Sequence, residues 1–99
     1  MPKLEFSEQA KLTLAHLEGD PSQSIRLKAV RGTLGKMQTN LRHPGLCTHQ
    51  FKGEKCPHGD KLFEAYAQNR TPGAYRILWC YAPPPPADTI VIVAITPHP

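Results

Sequence analysis

Ninety-nine residues carrying a formal charge of +4 fit one compact domain and leave little room for a second. Such a domain buries only about two-thirds of the surface its unfolded chain exposes, so its core must be economical. No apolar stretch approaches the roughly 20 residues needed to span a bilayer, and Lys3, Glu5 and Glu8 interrupt any signal-like segment at the start, so the expected location is the cytoplasm.

Residues 2–6 are short and extended, a candidate edge strand. Ser7 is placed to cap a helix, with Glu8 favourable beside its N-terminal dipole. Ala10, Leu14 and Leu17 recur at helical spacing, Leu12 widens the stripe, and Gly19 ends it. Asp20-Pro21-Ser22-Gln23 then reads as the start of a second helix, with Asp20 as N-cap, Pro21 as first helical residue and Gln23 as reciprocal cap. Its apolar stripe is Ile25, Val30, Leu34, Met37 and Leu41, with Arg26, Lys28, Arg31 and Lys36 largely off it. Gly32 and Gly35 weaken the interior by up to ~1 kcal/mol each, which close packing would explain. The helix should stop before Pro44.

Residues 42–60 read as a loop. Leu62 to Gln68 alternates imperfectly as a strand, and Thr71-Pro72-Gly73-Ala74 supplies turn chemistry. Tyr75 to Tyr81, rich in aromatic and β-branched residues, is a second strand. Pro83 to Pro86 is an extended linker. Thr89 to Thr96, apolar on both faces, reads as a central strand. The predicted fold is α+β: two N-terminal helices on an antiparallel sheet of three strands, or four if the N-terminus contributes one.

The charge is unevenly spread. Residues 1–20 sum to −2, residues 21–61 to +6, and residues 62–99 balance. A basic middle third suits a polyanionic partner, although a solvated helix face would look the same. Arg26, Lys28, Arg31 and Lys36, continued by Lys52, Lys55 and Lys61, could track phosphates without reading sequence.

Two strands could place Glu64 or Tyr66 on one sheet face with Arg76, and His98 follows the last strand. Arginine binds phosphate oxygens bidentately, and a carboxylate or imidazole can move protons at neutral pH, so Glu64, Tyr66, Arg70, Arg76 and His98 could serve phosphodiester cleavage. Arg76 could equally be an ion-pair partner of Glu64, and His98 a frayed terminal side chain. Cys47-Thr48-His49 and Cys56-Pro57-His58 offer zinc-type ligands, but Cys-x-His lacks the usual spacer, so no metal is expected. Three cysteines leave at least one unpaired and suit reduced thiols. Of the aromatics Tyr66, Tyr75, Trp79 and Tyr81, an exposed one could stack on a base, and Trp79 is expected in the core. There is no glycine-rich phosphate loop, nucleophile elbow or dinucleotide fingerprint.

Phe63-Glu64-Ala65-Tyr66, Gly73-Ala74-Tyr75-Arg76-Ile77-Leu78-Trp79 and Thr89-Ile90-Val91-Ile92-Val93-Ala94-Ile95-Thr96-Pro97-His98 together resemble the RelE/ParE superfamily of toxin–antitoxin toxins. The detailed match covers residues 62–98, and the two-helix pattern extends a looser one over most of the chain. The resemblance implies a microbial RNase-like fold and, in the RelE and YoeB branches, a metal-independent toxin without cofactors. Such toxins enter the ribosomal A site and cut mRNA, and the attack of the 2′-hydroxyl leaves a 2′,3′-cyclic phosphate. It further implies Arg76 as phosphate ligand, His98 as general acid and Glu64 as general base. Lys52, Lys55 and Lys61, with Arg70 and Tyr66, would contact RNA. The implied partners are an antitoxin protein, the ribosome and mRNA, with no membrane; a homodimer is left open. The chain departs from the family in ending at Pro99, in flanking His98 with Pro97 and Pro99, and in its proline run at 83–86. The ParE branch shares the fold but targets DNA gyrase, and a non-catalytic binding module is the third reading, since fold does not settle activity.

Overall fold

A computed structural model of the chain describes residues 3–40, 46, 48–56, 61–68, 73–82 and 89–97. Ser7 starts the first helix, α1 (Glu8–Glu18), as expected: its hydroxyl accepts from the Ala10 amide and donates to the Val93 carbonyl at 2.5 Å. One side chain thus caps the helix and ties it to the last strand. Asp20 caps a single 3₁₀ turn, Pro21–Gln23, and the second helix, α2 (Ser24–Thr39), follows directly. Bonds from the Ser22 hydroxyl and amide hold the Asp20 carboxyl below its usual 3.8. Their contribution to stability is therefore present above that pH and is lost as pH falls through the depressed value. Gln23 does not cap α2; its amide oxygen accepts from Arg26 instead.

Among the described residues five strands form one sheet: β1 (Lys3–Phe6), β2 (His49–Lys55), β3 (Lys61–Tyr66), β4 (Tyr75–Tyr81) and β5 (Thr89–Pro97), in the spatial order β1-β5-β4-β3-β2. The meander β3-β4-β5 is antiparallel and β5 is interior, as its two-sided apolar pattern predicts. Two expectations are corrected. The sheet is mixed, because β1 runs parallel to β5. It also has a fifth strand where a loop was expected: His49–Lys55 pairs antiparallel with β3, with an irregularity between Gln50 and Lys55. As the edge strand among the described residues, β2 needs no apolar alternation, so its polar sequence conceals it. Gly73, at φ +67°, supplies the left-handed residue in the turn into β4.

The main core lies between the helices and one sheet face. It is built from Ala10, Leu17, Val30, Leu34 and Met37 against Ala65, Ile77, Trp79, Ile90, Ile92 and Ile95. Trp79 is 2 % exposed and its ring stacks on Phe63 at 4.8 Å. A smaller cluster on the opposite face gathers Cys56, Leu62, Leu78, Cys80 and Ala94, with Phe51, Val91 and Val93 against it. Cys56 and Cys80 are joined there by a disulfide, with Cα atoms 6.2 Å apart, which corrects the reading of these two as reduced thiols. Leu12 and Ile25, assigned to apolar stripes, are instead 69 % and 81 % exposed. Among the described residues no helix is long and apolar enough to cross a membrane.

Gly32 and Gly35 were expected at a close approach, yet a Cβ at either would meet nothing within 4 Å. Their cost to α2 is therefore not offset by packing. Gly32→Ala should raise the unfolding free energy by about 0.5–1 kcal/mol in urea denaturation; a loss of stability would show a contact that the fold does not contain.

Candidate functional site

The sheet face away from the helices carries the chemistry. Strand register places Glu64 opposite Leu78, Tyr66 opposite Arg76 and Arg76 opposite Thr96, so all share the face of the smaller cluster. Glu64 and Arg76 are diagonal neighbours on β3 and β4, within reach of long side chains. Arg76 donates through one terminal nitrogen to Glu64 Oε2 at 2.5 Å. Their side chains are 3 % and 10 % exposed, which makes this a buried ion pair. The Phe51 ring of β2 covers it, with the guanidinium carbon 4.8 Å from the ring centroid. Arg76 Nε is buried without a hydrogen-bond partner among the described residues.

The other carboxylate oxygen of Glu64 is also engaged. His49 stands directly opposite Glu64 in the β2–β3 register, and its Nε2 lies 2.8 Å from Oε1. The His49 side chain is 49 % exposed, so a chain of three groups rises from the interior to the surface: Arg76, Glu64, His49. Tyr66 flanks the imidazole at 5.6 Å between ring centroids. This arrangement can hold an imidazole in one orientation at the protein surface and offer a half-exposed aromatic ring beside it.

Of the residues assigned from sequence, the structure brings Glu64, Tyr66 and Arg76 together. Lys52, Lys55 and Lys61 are exposed, and Lys55 and Lys61 are cross-strand partners. Arg70 and His98 lie outside the described residues, as do Cys47 and His58. Cys56, one of the four candidate zinc donors, is bonded to Cys80, and no group of three metal-ligating side chains occurs among the described residues. The basic face of α2 is partly occupied: Arg26 bonds Gln68 and Gln23 and covers the Tyr75 ring at 4.5 Å, and Arg31 pairs with Glu18 at 2.7 Å. Lys28 and Lys36 are exposed. Because α2 packs on the opposite sheet face, it does not adjoin the His49 cluster.

Sequence reasoning missed His49, weighing it only as a metal ligand. The signal that finds it is its pairing with Glu64, which requires β2 to be recognised first.

No protein-family model matches the sequence, and no curated protein matches it. Two solved structures share the fold along the whole chain. One is the YoeB dimer from Staphylococcus aureus, with a TM-score of 0.65 and 14% identity, covering 99% of this chain and 98% of that one. The other is a chain of the heterotetrameric YoeB–YefM toxin–antitoxin complex from Staphylococcus aureus, with a TM-score of 0.66 and 14% identity, covering 100% and 99%. The chain therefore shares the fold of these two structures, two helices packed on one face of a mixed sheet.

Removing Glu64 should leave a buried guanidinium uncompensated. Glu64→Ala is expected to lower the unfolding free energy by about 3–5 kcal/mol, whereas Glu64→Leu combined with Arg76→Met should keep or raise it. Urea denaturation of the two variants tests this; a near-neutral Glu64→Ala would mean that water reaches the pair.

Proposed function

We propose that this chain is the toxin of a type II toxin–antitoxin pair and that it cuts mRNA on the ribosome without a metal ion. The observation that carries the reading is the likeness to YoeB over essentially the full length of both chains. The proton-moving and cationic groups collected on the sheet face away from the helices, with exposed lysines on the adjoining strands β2 and β3, supply chemistry that suits an RNA substrate. The proposed product is a 2′,3′-cyclic phosphate. The proposed partners are an antitoxin, the ribosome and mRNA, with a homodimer in line with the YoeB dimer, and the proposed location is the cytoplasm, where ribosomes are.

The residue roles remain those that the family resemblance implies, with one adjustment. Arg76 is the proposed phosphate ligand, although it is already paired and lies beneath Phe51, so a phosphate must displace that ring to reach it. His98 is the proposed general acid, and Arg70, Lys52, Lys55, Lys61 and Tyr66 the proposed RNA contacts. Glu64 has both oxygens engaged, which suits it to orienting a base better than to acting as one. The burial of Glu64 and Arg76 specifically favours a second reading, a non-catalytic binding module on the same fold.

Inducible expression in a bacterium, followed by mapping of mRNA 5′ ends on stalled ribosomes, decides between them. Growth arrest with cuts at A-site codons is expected. Unimpaired growth and translation would remove the nuclease reading, and arrest with a DNA-damage response but intact mRNA would point to gyrase.

A further inference from the structure

We propose that the Cys56–Cys80 disulfide is a redox latch: oxidised, it holds β2 and the Phe51 ring over Arg76, and reduced, it releases them. The latch rests on the geometry of the sheet; the ligand it admits to Arg76, a phosphate group of RNA, rests on the nuclease reading above.

Three observations carry the inference. The first is where the bond lies. Cys56 directly follows β2 and Cys80 belongs to β4, with β3 running between those two strands. The bond thus reaches across one strand and ties the end of the edge strand to the sheet interior. Both sulfurs belong to the smaller cluster, and the main core on the helix side contains neither. The second is how β2 meets β3. Their register pairs His49 with Glu64, Gln50 with Phe63 and Lys55 with Lys61, and it is irregular between Gln50 and Lys55. An edge strand with an interrupted ladder belongs to the part of a fold that opens first. Phe51 lies in that irregular stretch, so its placement depends on side-chain packing. The third is what Phe51 touches. It packs on the cluster that holds both cysteines, and its ring covers the Arg76 guanidinium at 4.8 Å. Beneath it, Arg76 Nε is buried without a hydrogen-bond partner among the described residues, a donor from which a phosphate oxygen can accept once the ring lifts.

Cys56 is 4 % and Cys80 0 % exposed, so a reductant reaches the bond only when β2 opens. A dithiol then reacts in two steps. Its thiolate bonds to the Cys56 sulfur, the disulfide breaks, and Cys80 leaves as a thiolate that takes a proton. The second thiol of the reductant, deprotonated, displaces the Cys56 sulfur, which also takes a proton, and the reductant becomes a cyclic disulfide. Two electrons and two protons pass to the protein. Disulfides in a reducing cytosol are usually transient and redox-sensing. In the proposed location the open, reduced chain is therefore the resting form, and oxidation closes it.

The alternative is a staple for the whole domain, whose loss would loosen every strand alike. Full-length protein, air-oxidised or reduced with dithiothreitol, separates the two. Thiol titration should find one free thiol in the oxidised chain and three after reduction. Amide hydrogen exchange of residues 49–55 should be about 10-fold faster or more in the reduced chain, while that of β4 and β5 stays unchanged. Phenylglyoxal should label Arg76 in the reduced chain and spare it in the oxidised one. Cys56→Ser should match the reduced chain without reductant, and Phe51→Ala should expose Arg76 to the reagent in both states. Three free thiols in the oxidised chain, equal exchange and labelling in the two states, or faster exchange throughout the sheet overturns the latch. Continued protection of Arg76 in oxidised Phe51→Ala overturns it too. A chain that cuts no mRNA removes the RNA ligand only, and exchange and labelling still judge the latch.

Discussion

The buried pairing of Glu64 with Arg76 governs more of this structure than its size suggests. Two charges under a sheet face cost several kcal/mol each to dehydrate, and they are tolerated only where they meet. Because side chains alternate along a strand, a slip of one residue between β3 and β4 would carry one partner to the helix side, among Ile77, Trp79 and Ala65. The pair therefore selects the register of the two strands. The same carboxylate receives β2 through His49, and the same guanidinium receives Phe51, so the edge strand is aligned by the charges it covers. Site geometry and strand alignment are one constraint here.

Charge on the rest of the molecule follows a different logic. Among the described residues, the basic middle third of the sequence does not fold into one continuous patch. Arg26 is absorbed by Gln23, Gln68 and the Tyr75 ring, and Arg31 by Glu18, on the helical side. The lysines of β2 and β3 belong to the sheet edge. Among the described residues, the basic side chains of this stretch thus divide between two surfaces on opposite sides of the fold.

How far the sequence could be read depends on how strongly each segment's environment is written into its residue pattern. β5 and β4 were legible because interior strands need apolar residues on both faces, and α1 because Ser7 and Gly19 bracket it. β2 was not, since an edge strand tolerates His, Gln, Lys and Glu. Without β2, the partnership of His49 with Glu64 was invisible, whereas Glu64 with Arg76 could be anticipated from two adjoining strands. Leu12 and Ile25 matched a helical stripe but sit at its solvent-facing margin, where periodicity alone cannot separate boundary from core. The joining of Cys56 to Cys80 required knowing which Cβ atoms approach, which three cysteines in a row of letters do not reveal.

β1 finds its sheet neighbour only in β5, and Ser7 reaches across to Val93, 86 positions later in the chain. At a synthesis rate of about 5–20 residues per second, roughly 4–17 seconds separate the emergence of those two segments. Until β5 arrives, α1 lacks the strand to which Ser7 ties it and β4 lacks one flank. The fold is thus closed by its last strand, so a nascent copy holds no finished sheet.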